Sequence, residues 1–180
     1  MKSIILILAG LFLFSCVREK SKNDLTKASI RGNVKSITET QFSAIEKSGE
    51  IQAGSLRGKD TYNYDEKGNQ TEWNCYNEED SLVYKYTYKF DDKGNQIEEE
   101  WNNQDKSQSG KNSYKYDERG NRTEFKYNNQ DGSPGFRYDY HYDDKGNLLE
   151  WNRYDQDGSL EFKYTGNYDD KGNHIEENCF

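Results

Sequence analysis

Five glutamates, Glu72, Glu98, Glu124, Glu150 and Glu176, recur every 26 residues, and carboxylates are where acid–base chemistry would be sought first. A glycosidase needs two carboxyl groups in unlike surroundings, so that one holds a proton while the other stays ionised. Five equivalent acids, with Lys89 and Lys115 as partners, are the opposite arrangement. Asp155-Gln156-Asp157-Gly158 has the outline of a calcium loop. Arg153, however, stands where an oxygen ligand is needed, and no closing glutamate follows. Turn chemistry accounts for those acids without an ion. His141 fills the slot of Lys89 and Lys115, and His174 follows a turn, so neither has a second metal ligand at fixed spacing. No Ser/His/Asp or Cys/His set and no phosphate loop is present. The expectation is a non-enzymatic chain with no catalytic residue, metal or cofactor. The alternative, an envelope glycan-processing or metal-dependent enzyme, needs a cleft that a repeat of this kind does not supply.

The side chains with binding potential are aromatic. There are 15 Tyr and 3 Trp, flat amphipathic surfaces that suit protein or sugar partners. Most are expected to stand in for an aliphatic core. Tyr76 and Tyr154 fall on the polar-face parity and Leu148 reads as an exposed apolar position, so these three are the candidate ligand-facing residues.

These residues are positioned by a repeat. Gly68, Gly94, Gly120, Gly146 and Gly172, each followed by Asn, are spaced by 26 residues, each preceded by an acid and a base and, before those, by Asp65, Asp91, Asp117, Asp143 or Asp169. Tyr62-x-Tyr64, Tyr88-x-Phe90, Tyr114-x-Tyr116 and Tyr140-x-Tyr142 complete a unit Tyr-x-Tyr-Asp-x-x-Gly-Asn. A second turn follows about twelve residues later, clearest at Asp131-Gly132 and Asp157-Gly158. Leu82 to Phe90 and Phe136 to Tyr142 alternate with period two, the mark of a half-buried strand. Thr71, Trp73 and Cys75, then Thr123, Phe125 and Tyr127, then Leu149 and Trp151, are assigned to the aromatic face. Two-residue turns at both places would oppose Lys89 to Glu98, Lys115 to Glu124 and His141 to Glu150. They would also oppose Phe90 to Ile97, Tyr142 to Leu149, Tyr127 to Phe136 and Phe125 to Tyr138. A three-residue loop with a glycine bulge is the competitor, and would swap partners. The fold class is all-β: an antiparallel β-meander of 26-residue two-strand repeats in an open single-layer or coiled sheet.

The unit resembles the YD (RHS-type) repeats of bacterial surface and toxin-shell proteins and of animal teneurins, over Tyr62 to Phe180. The chain departs from that pattern in having Gly-Asn where Gly-Arg is common. It also carries Gln70, Gln96, Arg122, Leu148 and His174 where an apolar residue is usual. The likeness implies a scaffold or binding surface, and about four and a half repeats are too few to enclose a shell. Residues 29–61 are off-period and are expected to form an N-terminal capping hairpin ahead of the array at 62–180.

Composition agrees with a thin sheet. From Cys16 onward there are 21 Leu, Ile, Val or Phe in 165 residues, below the roughly 20% that usually marks a foldable chain, but the aromatics that disordered chains lack are abundant. The net charge of −8 argues against nucleic acid as a partner. Met1–Lys2, an apolar run from Ile4 to Phe14 too short to span a bilayer, and Ser15-Cys16 resemble a bacterial lipoprotein signal. That likeness implies a signal peptide at 1–15, acylation of Cys16, a polar tether at 16–28 and lipid anchoring in the cell envelope, at the outer membrane. A protein or glycan partner is expected there. Cys75 and Cys179, four periods apart, would be about 38 Å distant in an open sheet at ~4.8 Å per strand, beyond disulfide reach.

Overall fold

The computed structural model describes residues 23–180. The signal peptide, Cys16 and the first part of the expected tether lie outside the described residues. Eleven strands follow one another in chain order as a single antiparallel sheet that does not close: β1 (Ser36–Lys47), β2 (Glu50–Tyr64), β3 (Gln70–Tyr76), β4 (Leu82–Phe90), β5 (Gln96–Asn103), β6 (Ser109–Tyr116), β7 (Arg122–Asn129), β8 (Pro134–Tyr142), β9 (Leu148–Tyr154), β10 (Leu160–Tyr168) and β11 (His174–Cys179). Each 26-residue unit contributes two strands and two turns. Cys75 on β3 and Cys179 on β11, eight strands apart in this order, both carry free thiols. Among the described residues the sheet has no second layer over it. Leu25 is the one buried apolar side chain among the described residues, so the aromatic face is half-buried by its own rings.

The repeated loop sets the spacing. The carbonyl of Asp91 accepts from the amide of Gly94 (3.1 Å), and the Asp91 amide donates to the carbonyl of Asn95 (2.9 Å). Gly94 sits at φ 87°, where a side chain would be strained. This is a three-residue loop with a glycine bulge, and it corrects the two-residue turn. The same pattern holds at Asp131-Gly132, where the Gly132 amide donates to Asn129 (2.9 Å). The aspartate is needed because its Oδ1 accepts the amides of Lys93 (2.9 Å) and Asn95 (2.8 Å) while Oδ2 accepts the Asn95 side chain (2.9 Å). The other four copies repeat these bonds.

The extra loop residue is compensated one step inward. Phe90 pairs with Gln96, not Ile97, and Tyr142 with Leu148, not Leu149. A bulge then restores the expected register, so Lys89 faces Glu98, Lys115 faces Glu124 and His141 faces Glu150. Phe125 likewise faces Tyr138, while Tyr127 is left in a bulge, out of register with Phe136, although their rings remain 5.2 Å apart.

Successive loops are tied together along one side of the sheet. The Lys67 ammonium donates to the carbonyl of Asp92 (3.5 Å), Lys93 to Glu118 (3.3 Å) and Lys145 to Asp170 (2.7 Å), and the Arg119 guanidinium donates to Asp144. This explains the acid–base pair before each glycine: the base of one repeat reaches the acid of the next. At the first loop the preceding repeat is replaced by residues 23–28, which sequence assigned to the tether. Asn23 donates to the Lys67 carbonyl (2.5 Å), the Leu25 amide to Gly68 (3.2 Å), and the Gln70 amide to Asp24 Oδ2 (2.8 Å). A short helix, α1 (Asp24–Lys27), capped by the Asn23 side chain, places Leu25 there. The off-period segment forms the β1–β2 hairpin, turning at Ser48-Gly49, both at positive φ. The strand β2 runs on to Tyr64 across the expected boundary at residue 61.

Candidate binding surface

The polar face is a ladder of ion pairs. Glu98 sits between Lys89 and Lys111, each at 2.6 Å, and Glu124 between Lys115 (3.1 Å) and Lys126 (3.2 Å). Glu72 pairs with Lys85 and Glu150 with Lys163, both at 2.6 Å. Lys111, ahead of Lys89, holds the Glu98 carboxyl below its ordinary range, as Lys163 does for Glu150. Acids held ionised by lysines cannot supply a protonated general acid. A second basic row, Lys59, Lys85, Lys111, Arg137 and Lys163, also at 26-residue spacing, supplies partners that inspection of Lys89 and Lys115 alone missed; the period was the available signal. In the Asp155 turn, Oδ1 of Asp155 accepts the amides of Asp157 and Ser159 (both 3.1 Å), which gives those acids a local role. No group of three or more metal-ligating side chains occurs among the described residues. His174 instead shares a hydrogen bond with the Tyr164 hydroxyl (3.0 Å).

Tyr76 and Tyr154 both lie on this polar face, opposite Lys59 and Arg137. Each ring is covered by its cation: Lys59 Nζ is 4.4 Å from the Tyr76 centroid, and the Arg137 guanidinium 4.3 Å from that of Tyr154. Both tyrosines are half-buried. Leu148 is also half-buried, and the apolar side chain exposed there is Leu149, 39% accessible. The one-residue shift at the loop exchanges the two. The structure therefore does not bring the three candidates together.

On the opposite face the aromatic slots fill in register. Trp73 stacks on Tyr62 (6.4 Å) and Tyr86 (4.8 Å), and Trp151 on Phe162 (4.8 Å) and Tyr164 (6.1 Å). Trp73 is thereby sandwiched from both neighbouring strands, whereas both stacking partners of Trp151 lie on β10 and Tyr138 of β8 is tilted against it at 5.6 Å. The central repeat breaks the pattern. The slot holding Trp73, Phe125 and Trp151 holds Glu99; the slot of Tyr84, Phe136 and Phe162 holds Gly110; the slot of Tyr86, Tyr138 and Tyr164 holds Asn112. These departures are neighbours, since Glu99 pairs with Asn112 and Trp101 with Gly110.

Glu99 Oε2 accepts from the Asn112 amide and the Tyr114 hydroxyl, both at 3.0 Å, and has no ion-pair partner among the described residues. Burial, then the Glu99 charge, pushes the Tyr114 phenol up to about 12. Tyr88 is raised for the same two reasons. The Trp101 indole lies across Gly110, where a Cβ would stand 2.6 Å from the ring, and Tyr127 lies across Gly135. The two rings are 6.0 Å apart and within 21° of parallel. A carboxylate, an amide and a phenol thus sit beside two rings laid over glycines, in the middle of an otherwise closed aromatic face. An open cleft of about 560 Å³, lined by Trp101, Gly110, Lys111 and Asn128, adjoins the Trp101 indole.

No protein-family model matches the chain, and no curated protein does. Among solved structures it is similar to TcdB2-TccC3 without its hypervariable C-terminal region, at 14% identity and a TM-score of 0.50. The match covers 86% of this chain and 7% of that one. A Photorhabdus luminescens Tc holotoxin pore matches at 12% identity and a TM-score of 0.41, over 82% of this chain and 10% of that one. A porin-like protein from Bacteroides uniformis matches at 16% identity and a TM-score of 0.35, over 76% and 52%. The chain therefore spans a small fraction of the toxin chains it resembles, and the TcdB2-TccC3 likeness extends to the fold alone.

Proposed function

We propose that the chain is a non-enzymatic lipoprotein of the bacterial cell envelope, built from YD-type repeats, whose array is a binding or scaffold surface for a protein or glycan. The observation that carries this reading is the break in the central repeat. Where the period holds, rings and ion pairs satisfy one another; at Glu99, Trp101, Gly110 and Asn112 hydrogen-bonding groups lie beside rings laid over glycines. That combination of flat apolar surface and polar groups suits recognition. The signal-like N-terminus ending in Cys16 supports anchoring of this surface at a membrane through acyl chains, with no nucleic acid as partner. Retention of envelope proteins and of envelope glycans by the tagged, anchored chain tests it. Retention that declines in steps as Trp101, Tyr127 and Tyr114 are replaced supports a binding surface. Abrupt loss of function on replacing one glutamate of the ladder favours the enzyme alternative, and retention of neither class contradicts the proposal. Cys16→Ala is expected to move the chain from the membrane fraction to the soluble one.

A further inference from the structure

The β1–β2 hairpin extends past the rest of the sheet. β3 covers β2 only over Lys59–Tyr64, so residues 50–58 and their β1 partners project as a two-stranded ribbon, about 25 Å long at ~3.3 Å per residue. An isolated two-stranded ribbon is marginal in water. This one exposes Phe42 (52%), Ile45 (46%) and Ile51 (80%). Its outer edge, β1, has no strand beside it among the described residues. Open edges are ordinarily blunted by proline, bulges or charges; β1 carries no proline, and its charges are Glu39, Glu46 and Lys47. The chain SITETQFSAIEK contains no Pro or Gly, and both irregularities of the hairpin come from extra residues on β2. Gln41 pairs with Gly58, Phe42 with Leu56 and Ala44 with Ala53, leaving β1 continuous.

We propose that β1 pairs antiparallel with β1 of a second copy of this chain, about a two-fold axis at Ser43, joining two sheets edge to edge. An edge offers its backbone groups on alternate residues, so a symmetric antiparallel pairing must join residues of the same parity. Three such registers can be compared by charge. Centring on Ser43 opposes Glu39 to Lys47 of the second copy twice over, with Phe42 against Ala44 and Ile45 against Gln41. Centring one residue earlier, on Phe42, pairs no charges, and centring on Gln41 opposes Lys35 to Lys47. The Ser43 register is thus the one with opposite charges facing, the arrangement that stabilises cross-strand pairs. Lys47 makes no ion pair among the described residues and is free to serve. Main-chain bonds along the edge would supply the association and the two ion pairs its register.

Sedimentation velocity on the full chain in mild detergent, across a concentration series, tests this. The intact chain is expected to dimerise. Glu39→Lys and Lys47→Glu should each weaken the dimer at least ten-fold, and the two together should restore it, because the charges then face again with signs reversed. Restoration also separates the effect from fraying of the hairpin tip, where Lys47 faces Glu50. In a Cys75→Ser/Cys179→Ser chain, Ser43→Cys should give an oxidised dimer band that the same chain with Ser43 intact does not. A monomer at every concentration overturns the proposal. So does a dimer indifferent to both charge reversals, or one that Ser43→Cys fails to cross-link.

Discussion

The repeats around β3–β4 and β9–β10 and the repeat at β5–β6 share one backbone but use their aromatic face differently. In the outer pair an indole is clamped between neighbouring rings, 4.8 Å from Tyr86 in one and 4.8 Å from Phe162 in the other. In the central repeat that slot carries Glu99, and the indole of Trp101 lies two residues further along, over a glycine. With no second layer above the sheet among the described residues, stacked rings act as the core. A repeat that gives up one such stack exchanges stability for hydrogen-bonding groups set beside its rings.

Replacing the two indoles should break the comparison most sharply. Trp151→Ala removes a ring held by Phe162 and Tyr164 and should cost about 2–3 kcal/mol, at the low end for a buried aromatic because the face is half open. Trp101→Ala should cost about half that and leave the denaturation transition cooperative. Chemical denaturation of both variants checks the order. Gly110→Ala comes next. Its Cβ would meet the indole at 2.6 Å, so the ring must lift, at about 1 kcal/mol of strain, with a shift in tryptophan fluorescence that Gly120→Ala would not give. Smaller still is the effect on the polar face, common to all repeats. Carboxyls such as Glu98, held below their ordinary 4.5 by lysines, are ionised more readily in the folded than in the unfolded chain. Their contribution is complete above ~4.5 and is lost as pH falls through the folded value. Glu98→Gln should flatten that acid slope while changing neutral stability by under about 1 kcal/mol, as acid titration of the folded fraction would show. The smallest change is spectroscopic. Glu99→Gln should lower the Tyr114 phenol from about 12, read as phenolate absorbance against pH.

Much of this was legible in one dimension. A 26-residue period combined with alternation fixes strand order and sidedness, because each strand differs from its neighbour only by a turn. The deeper pairs Lys89–Glu98 and Lys115–Glu124 followed from that. The positions beside the loops did not, since Asp91 holds two backbone amides and the loop takes one more residue than a Lys-Gly turn requires. Leu148 and Leu149 changed places for that reason alone. The second basic row and the departures at Glu99, Gly110 and Asn112 were written in the period. That Trp101 lies flat where Trp73 is clamped depends on neighbouring glycines, and became visible only in three dimensions. The docking of residues 23–28 onto the Gly68 loop had no sequence signal, because Asn23 substitutes for a loop asparagine outside the repeat.

The central claim, that the array recognises its partner where the aromatic period breaks, is tested most directly by retention of envelope material on three chains side by side: wild type, Trp101→Ala and Trp151→Phe. The last keeps an aromatic ring, as Phe125 does in the equivalent slot. Loss of retention in Trp101→Ala, with wild-type retention in Trp151→Phe and both chains folded, is the expected result. Equal retention by all three would contradict the account.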